Sequence, residues 1–219
     1  MTKYIIIAAG EATRWNNYMG ITKHFAVLNG EPILIRAVRL LKENGVKAQD
    51  IELVSLDYNV EGVTNHHITP NYKENADADK FLSSAHLWNR EGRTVIVYGD
   101  VYFSDYAMQR ITNYEGKDWT MFCRPGTINN ATAGECFAAS FYPDEIDRGI
   151  AQLKELTRLY RAKQFSRIGG WEWSRLMSDV SRDKIWEHQL DLNVYDVIDD
   201  ETDDLDFPRD YLRLKEVVG

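Results

Sequence analysis

The stretch that decides the fold is residues 5–23, which read IIIAAGEATRWNNYMGITK. It begins with an apolar run whose length suits a buried strand. The strand is followed at residues 8–10 by small side chains, which allow backbone N–H groups to approach an anion closely. Two cations follow, Arg14 and Lys23. A strand that leads into such a loop is typical of a polyphosphate site, because the cations offset the charge of the anion.

The composition predicts an ordinary globular protein with a substantial core. The chain has 219 residues, of which 44% are hydrophobic and 27% charged, so we expect one domain over residues 1–219. The longest apolar run, residues 5–9, is too short for a membrane span or a signal peptide. Cys123 and Cys136 lack metal-site spacing and are expected to be packed, reduced thiols. These features favour a cytoplasmic location without a membrane partner.

The charge balance argues against nucleic acid as a partner. The formal net charge is −8, whereas binding to a phosphate backbone needs a concentrated basic surface. Eight of the carboxylates fall within residues 196–210. Most of these are expected to be solvated, although one or two could belong to a site.

Strands and helices are predicted to alternate through the first half of the chain, which favours an α/β fold with a mostly parallel sheet. After residues 5–9, strands are expected at residues 24–28, 51–56, 66–69, 94–98, 119–124 and 135–142. Helices are expected after Pro32 as far as Gly45, at residues 79–89, from a cap at Asp105, and at residues 144–160 and 208–217. A segment rich in tryptophan lies at residues 171–177.

Ligands in open α/β sheets bind beyond the carboxyl ends of the strands. Three polar features are expected there: the loop at residues 8–10, Asp57, and the pair Gly99 and Asp100. Asp100 follows a β-branched strand, and the glycine before it is expected to leave room for a close ligand. A carboxylate in that place could coordinate a Mg²⁺ ion that also contacts a nucleotide phosphate.

Several segments together resemble one enzyme family. Residues 8–23, AAGEATRWNNYMGITK, are similar to the A-A-G-x-G-x-R-x(n)-P-K loop of nucleotidyltransferases with a GT-A-like Rossmann fold. Further similarities, in the order found in the family, lie at NGEPILIRAVRLL (29–41), TPNYKENADADKFLSSAHLW (69–88), VIVYGDVYFSD (95–105) and DDLDFPRDYLRL (203–214). The resemblance implies a three-layer, Rossmann-like domain with helices on both faces of the sheet and an acceptor-side lobe at roughly residues 119–195.

The resemblance also implies an activity and a set of catalytic residues. These enzymes move a nucleotidyl group from an NTP to a phosphorylated acceptor and release pyrophosphate. Arg14 would hold the β- and γ-phosphates, and Lys23 would stabilise charge at the α-phosphate or bring in the acceptor. Asp100 and Asp206 would bind Mg²⁺, with Asp204 as the leading alternative to Asp206.

Substrate contacts follow from the same resemblance. The base and ribose would contact the loop residues and two later side chains: Ala8, Ala9, Gly10, Glu11, Ala12, Asn75 and Ser84. The phosphocholine-type members favour CTP as the nucleotide. The acceptor, a sugar 1-phosphate or phosphocholine, would lie against residues 124–134, Trp171 and Trp173, where aromatic rings suit either a cation or a sugar.

Two positions depart from the family pattern. Ala12 replaces a glycine, and Thr22 replaces the proline before Lys23, so the loop is expected to follow a different and less rigid path. Two other functions remain open on sequence grounds. A glycosyltransferase would typically carry a D-x-D motif, whereas this chain has Tyr102 at the second acidic position. A nucleotide-binding module without turnover would not need Arg14, Lys23 and Asp100 together.

Overall fold

The computed structural model describes residues 1–10, 12–56, 58–68, 77–116, 118–124, 134–165, 168–180 and 194–219. In these ranges the strands are β1 (Lys3–Ala8), β2 (Val27–Leu28), β3 (Glu31–Pro32), β4 (Ile51–Ser55), β5 (Asn65–Ile68), β6 (Thr94–Tyr98), β7 (Val101–Tyr102), β8 (Trp119–Arg124), β9 (Glu135–Phe141), β10 (Tyr195–Val197) and β11 (Asp203–Asp204). The α-helices are α1 (Ile33–Glu43), α2 (Asp77–Ser83), α3 (Asp105–Thr112), α4 (Ile146–Arg161), α5 (Gly170–Met177) and α6 (Pro208–Val218).

A seven-stranded sheet in the order β10-β8-β9-β6-β1-β4-β5 forms the centre of the molecule. Strand β9 is antiparallel to both of its neighbours, and the other pairs are parallel. The predicted mostly parallel α/β sheet is therefore confirmed. The apolar run of β1 lies between β6 and β4, which places the following loop at the middle of one sheet edge.

Helices cover both faces of the sheet, as predicted. Alternate side chains of β1 point to opposite faces. Ile6 packs with apolar residues of α1 and α3, whereas Ile5 packs with residues of α2, α4 and α5. A smaller apolar cluster around Trp15 and Tyr211 holds α6 and the β2–β3 hairpin against the loop that follows β1 and ends at Lys23, which we call the first loop. This cluster fixes the position of the loop that follows β1.

Several predicted boundaries were wrong for local reasons. Residues 24–28 do not form one strand, because a 3₁₀ turn at Lys23–Phe25 precedes β2. Helix α3 is capped by Ser104, whose hydroxyl accepts a hydrogen bond from the Ala107 backbone, and Asp105 is already the first helical residue. The helix expected at residues 79–89 is α2 followed by a 3₁₀ turn at Ala85–Leu87.

The cysteine prediction is confirmed. Cys123 and Cys136 are free, buried and opposite each other on β8 and β9. Burial raises the pKa of Cys123 to about 12, which keeps this thiol protonated and unreactive. Within the described ranges, no helix combines the length and apolarity needed to cross a membrane.

Candidate active site

The ends of β1 and β6 are packed tightly together. The Gly99 backbone N–H donates to the Ile7 carbonyl at 2.9 Å. A Cβ atom on Gly99 would lie 2.7 Å from the Cβ of Ala8 and 3.0 Å from the Ile7 oxygen. The expectation that this glycine leaves room for a ligand was therefore wrong, because the end of β1 fills the space. The close approach instead places Asp100 directly beside the loop that follows β1.

Lys23 joins the two predicted metal-binding carboxylates. Its ammonium group lies 2.6 Å from Oδ2 of Asp100 and 3.3 Å from Oδ1 of Asp206. The Lys23 side chain is 6% exposed, whereas those of Asp100 and Asp206 are 28% and 24% exposed. A buried ammonium group thus lies between two half-buried carboxylates that open toward solvent.

A two-residue ribbon brings Asp206 to Asp100. Strand β11 pairs antiparallel with β7, which begins immediately after Asp100. Beyond β11, the backbone N–H of Leu205 donates to the Asp100 carbonyl at 2.9 Å. Asp210 lies in the first turn of α6, and its carboxylate accepts from the backbone N–H groups of Asp206 and Phe207. The chain is therefore fixed on both sides of the Asp206 side chain.

Arg14 approaches the same carboxylate from the solvent side. Its Nη1 lies 2.5 Å from Oδ2 of Asp206, and its side chain is 55% exposed. The guanidinium group also lies over the ring of Phe207, 5.4 Å from the ring centroid. Arg14, Lys23, Asp100 and Asp206, separated widely in sequence, thus form one cluster of four alternating charges, which we call the charge cluster.

The first loop contains both departures from the family pattern. Ala12 adopts a φ of +51°, a left-handed conformation that glycine adopts without cost and alanine does not. Thr22 has φ −71° and ψ 146°, values that proline would also adopt. The substitutions at these two positions therefore have different consequences: the alanine is strained, whereas the threonine keeps a proline-like backbone before Lys23.

Tyr58 and His24 tie the end of β1 to the turn that carries Lys23. The Tyr58 hydroxyl donates to the Ala8 carbonyl at 2.5 Å and lies 2.7 Å from Nδ1 of His24. Burial lowers the pKa of His24 to about 4. The imidazole is therefore neutral at pH 7, and it supports the turn without adding charge to the cluster.

The electrostatics of the cluster favour its ionised form. Burial alone would raise the pKa of Asp100, but the charge and hydrogen bond of Lys23, together with His24 and Lys80, outweigh burial and lower this pKa to about 2. Burial alone would lower the pKa of Lys23, but the charges of Asp100 and Asp206 together raise this pKa above its usual value. Both partners are therefore charged at neutral pH.

Among the described residues, three more titratable side chains lie beside the predicted pair of cations and pair of carboxylates: Glu135, Asp204 and Lys80. Burial and the charge of Asp206 raise the pKa of Glu135 to about 8, and burial and the charge of Glu135 raise that of Asp204. The ammonium group of Lys80, on α2, lies 3.6 Å from where a Cβ on Gly10 would be. Asp204 was considered as an alternative ligand, whereas Glu135 and Lys80 carry no local sequence signal.

Not every predicted site residue joins the cluster. Ser84 is fully buried, and its hydroxyl donates to the Phe81 carbonyl and accepts from Nε1 of Trp88. Trp173 is also fully buried and stacks on Phe81 at 5.2 Å, so it packs in the core and does not form part of an open aromatic cage. Glu11, Asp57, Asn75 and most of the acceptor loop at residues 125–133 lie outside the described residues.

The two carboxylates of the cluster fit a Mg²⁺ ion. Oxygen atoms of Asp100 and Asp206 already converge on one positive charge, the ammonium group of Lys23, and hard oxygen ligands suit this metal. In the part of the chain that the structure describes, no group of three or more metal-binding side chains occurs. The protein would therefore supply two carboxylates, and water and substrate phosphates would supply the remaining ligands.

Comparison with known proteins gives fold similarity without close sequence relatives. No protein-family model and no curated protein matches the chain. The CTP:phosphocholine cytidylyltransferase of Streptococcus pneumoniae is similar over 100% of this chain and 99% of its own, with 16% identity and a TM-score of 0.65. The inositol-1-phosphate CTP transferase of T. maritima is similar over 100% and 98%, with 17% identity and a TM-score of 0.62.

A third similar structure comes from Bacillus anthracis, a protein assigned as a glucose-1-phosphate thymidylyltransferase. It matches 100% of this chain and 95% of its own, with 14% identity and a TM-score of 0.63. Because the identities are low, the similarity concerns the fold alone. The chain has the Rossmann-like fold of these nucleotidyltransferases, which confirms at the level of structure the resemblance found in the sequence.

Proposed function

We propose that this protein is a Mg²⁺-dependent nucleotidyltransferase. It moves a nucleoside monophosphate from an NTP to a small phosphorylated acceptor and releases pyrophosphate. The observation that carries this proposal is the charge cluster, in which two carboxylates and two cations from distant parts of the chain meet at the carboxyl ends of β1 and β6. A triphosphate and a divalent cation together present the complementary set of charges.

Binding of substrate would exchange partners within the charge cluster. Arg14 and Lys23 would bind the phosphates of the NTP, and Asp100 and Asp206 would hold the Mg²⁺ ion. Arg14 is exposed and its planar group suits two phosphate oxygens at once. Lys23 is buried beside Asp100, so its ammonium group would remain close to the α-phosphate while this phosphate reacts.

The reaction is an in-line displacement at the α-phosphorus. An oxygen of the acceptor phosphate forms the new bond to the α-phosphorus as the bond to the bridging oxygen breaks, and pyrophosphate leaves with that electron pair. Because the nucleophile is already anionic, no strong base is needed, and positioning and charge neutralisation supply the catalysis. Lys23 would stabilise the charge that develops on the α-phosphate oxygens. When bound, Mg²⁺ supplies Lewis-acid stabilisation of the same oxygens.

The nucleotide is proposed to be CTP and the acceptor a sugar 1-phosphate or phosphocholine. Two of the similar structures are, in their own names, a CTP:phosphocholine cytidylyltransferase and an inositol-1-phosphate CTP transferase. Trp171 borders the acceptor loop, since its indole N–H donates to the Gly134 carbonyl at 2.9 Å. Its ring is half-buried and lies 5.8 Å from that of Tyr195, which supports aromatic contact with the acceptor.

The test is release of pyrophosphate. The protein would be incubated with Mg²⁺, each of the four NTPs and a panel of phosphorylated acceptors, with Asp100→Asn as the inactive variant. Asp199→Asn is the matched control, because Asp199 is an exposed carboxylate outside the cluster. We expect release with CTP and at least one acceptor, lost in Asp100→Asn and kept in Asp199→Asn. Nucleotide binding without release would instead support a binding module, and turnover of a nucleotide-sugar would support a glycosyltransferase.

A further inference from the structure

Asp203 is a buried carboxylate held by two arginines. Its side chain is 2% exposed, and Oδ1 lies 2.5 Å from Nη2 of Arg124 at the end of β8. Its other oxygen, Oδ2, is paired with Nη2 of Arg213 on α6. Arg124 also donates to the Thr202 carbonyl at 2.9 Å. One side chain on β11 is therefore joined to two other elements of the fold at once.

Such an arrangement is a poor way to gain stability. Removing charges from water carries a large penalty, and well-packed apolar side chains in the same place are often as stabilising or more so. Buried ionic groups are instead well suited to selecting one arrangement of the chain over another, because an alternative arrangement leaves a buried charge unpaired. Asp203 is therefore a candidate for a residue that specifies register.

The strand that contains Asp203, β11, needs contacts that fix its pairing register with β7. Residues 199–206 contain six carboxylates, and the β11–β7 ribbon has only two residue pairs. A slip of one residue turns each side chain to the opposite face. In the observed register Asp203 lies opposite Tyr102, and Asp206 reaches Lys23 and Arg14. A slipped ribbon would place a neighbouring side chain there.

We propose that Asp203, through its ion pairs with Arg124 and Arg213, is the positioning residue that sets the register of β11, so that Asp206 meets Lys23 and Asp100. Asp200 fixes the start of the segment through a 2.5 Å hydrogen bond from Ser104. Among the described carboxylates of residues 199–206, Asp203 is the one whose two oxygens are both paired with arginines. This inference rests on the proposed function in one respect, namely that Asp206 is a metal ligand. The placement of Asp206 is a structural claim that stands separately.

The test replaces Asp203 with asparagine, which keeps the shape and removes the charge. Arg213→Gln is a milder variant that leaves the Arg124 pair in place, and Asp199→Asn is the control on the same segment. Binding of Mn²⁺, measured by electron paramagnetic resonance, is expected to weaken by about 10-fold to 100-fold in Asp203→Asn. A smaller loss is expected in Arg213→Gln and no change in Asp199→Asn. The kcat is expected to fall with Mn²⁺ affinity, while the KM for CTP is expected to change less than the kcat, because the substitution removes neither of the cations proposed to bind the phosphates, Arg14 and Lys23.

Crystal structures of the variants separate this inference from the proposed function. In Asp203→Asn, or in Arg213→Gln if the former does not fold, we expect Asp206 to move away from Lys23. If the wild-type protein releases no pyrophosphate but this displacement is seen, the proposed function fails and the positioning role stands. If Asp206 stays beside Lys23 and Mn²⁺ affinity and kcat equal those of Asp199→Asn, the positioning role is overturned.

Discussion

Replacement of Lys23 by methionine removes the ammonium group between Asp100 and Asp206 and keeps most of the side-chain volume. The shift of the Asp100 pKa from 3.8 to about 2 corresponds to about 2.5 kcal/mol at ~1.4 kcal/mol per unit. A fully buried pair that loses one partner costs about 3 to 5 kcal/mol, but the Asp100 side chain is 28% exposed, so water offsets part of this. We expect the free energy of unfolding to fall by about 2 kcal/mol, or roughly 4 to 8 °C in Tm for a chain of this length.

The pH and metal dependence identify the cause of that loss. Asp100 is ionised in both the folded and the unfolded protein above its unfolded pKa of 3.8, so the contribution of Lys23 is complete at pH 7. It is lost as the pH falls toward the folded pKa of about 2. Mg²⁺ is expected to raise the Tm of Lys23→Met more than that of the wild type, because the ion replaces the missing positive charge between the two carboxylates.

The assay is thermal unfolding at pH 7 and at lower pH, with and without Mg²⁺. Lys3→Met is the matched control, because Lys3 pairs with Glu52 at 3.1 Å in a lysine–carboxylate contact on another part of the sheet. Its Tm should not respond to Mg²⁺ more than that of the wild type. A Lys23→Met protein as stable as the wild type at pH 7, or one that gains no more from Mg²⁺ than Lys3→Met does, would refute the reasoning.

Three further predictions follow from the first loop. Arg14→Gln should raise the KM for the NTP by roughly 10-fold to 100-fold, the equivalent of one charge-assisted hydrogen bond of about 1.5 to 3 kcal/mol. The Tm should change little because the Arg14 side chain is 55% exposed. An unchanged KM would remove Arg14 from the site. The unfolding free energy should fall by up to about 3 kcal/mol between pH 6.5 and 4, because His24 takes up a proton in the unfolded protein but stays neutral in the folded one, where its pKa is about 4. The His24→Gln variant cannot take up this proton, so its unfolding in urea should lose this part of the pH dependence. Ala12→Gly should raise the unfolding free energy by up to about 1 kcal/mol because φ is +51°, and a lower value in chemical unfolding would contradict the assigned strain.

Local sequence patterns predicted the parts of the fold that depend on neighbouring residues. The apolar run of β1 and the β-branched run of β6 were recognised as buried strands, and the position of Asp100 at the end of β6 followed from them. Helix caps were less predictable: Ser104 and Asp105 are both good capping residues, and only the geometry shows that Ser104 caps α3. The conformation of Ala12 is also set by the packing around it, since alanine alone disfavours a positive φ.

The composition of the charge cluster could be predicted only in part. Arg14, Lys23 and Asp100 were selected from the loop and strand-end pattern, and Asp206 from the resemblance. The structure brings the four together, although their catalytic roles remain predictions. Glu135 could not be found from sequence, because it approaches the cluster through pairing of β8 with β9.

The surroundings of the buried polar and aromatic residues also could not be predicted from the sequence. Ser84 was selected for its motif position, but its hydroxyl is used by the turn after α2 and by Trp88. Its burial depends on tertiary packing that no local pattern encodes. Trp173 likewise belongs to a core of aromatic rings between the sheet and two helices, whereas Trp171, two residues before it, lies beside the acceptor loop.

The most direct test of the charge cluster as a nucleotide and metal site is a crystal structure with Mn²⁺ and a non-hydrolysable CTP analogue. The anomalous signal of Mn²⁺ should lie between Asp100 and Asp206, about 2.1 Å from an oxygen of each. Arg14 and Lys23 should then contact phosphate oxygens in place of Asp206. Mn²⁺ bound elsewhere, with Lys23 still joined to both carboxylates, would contradict the account.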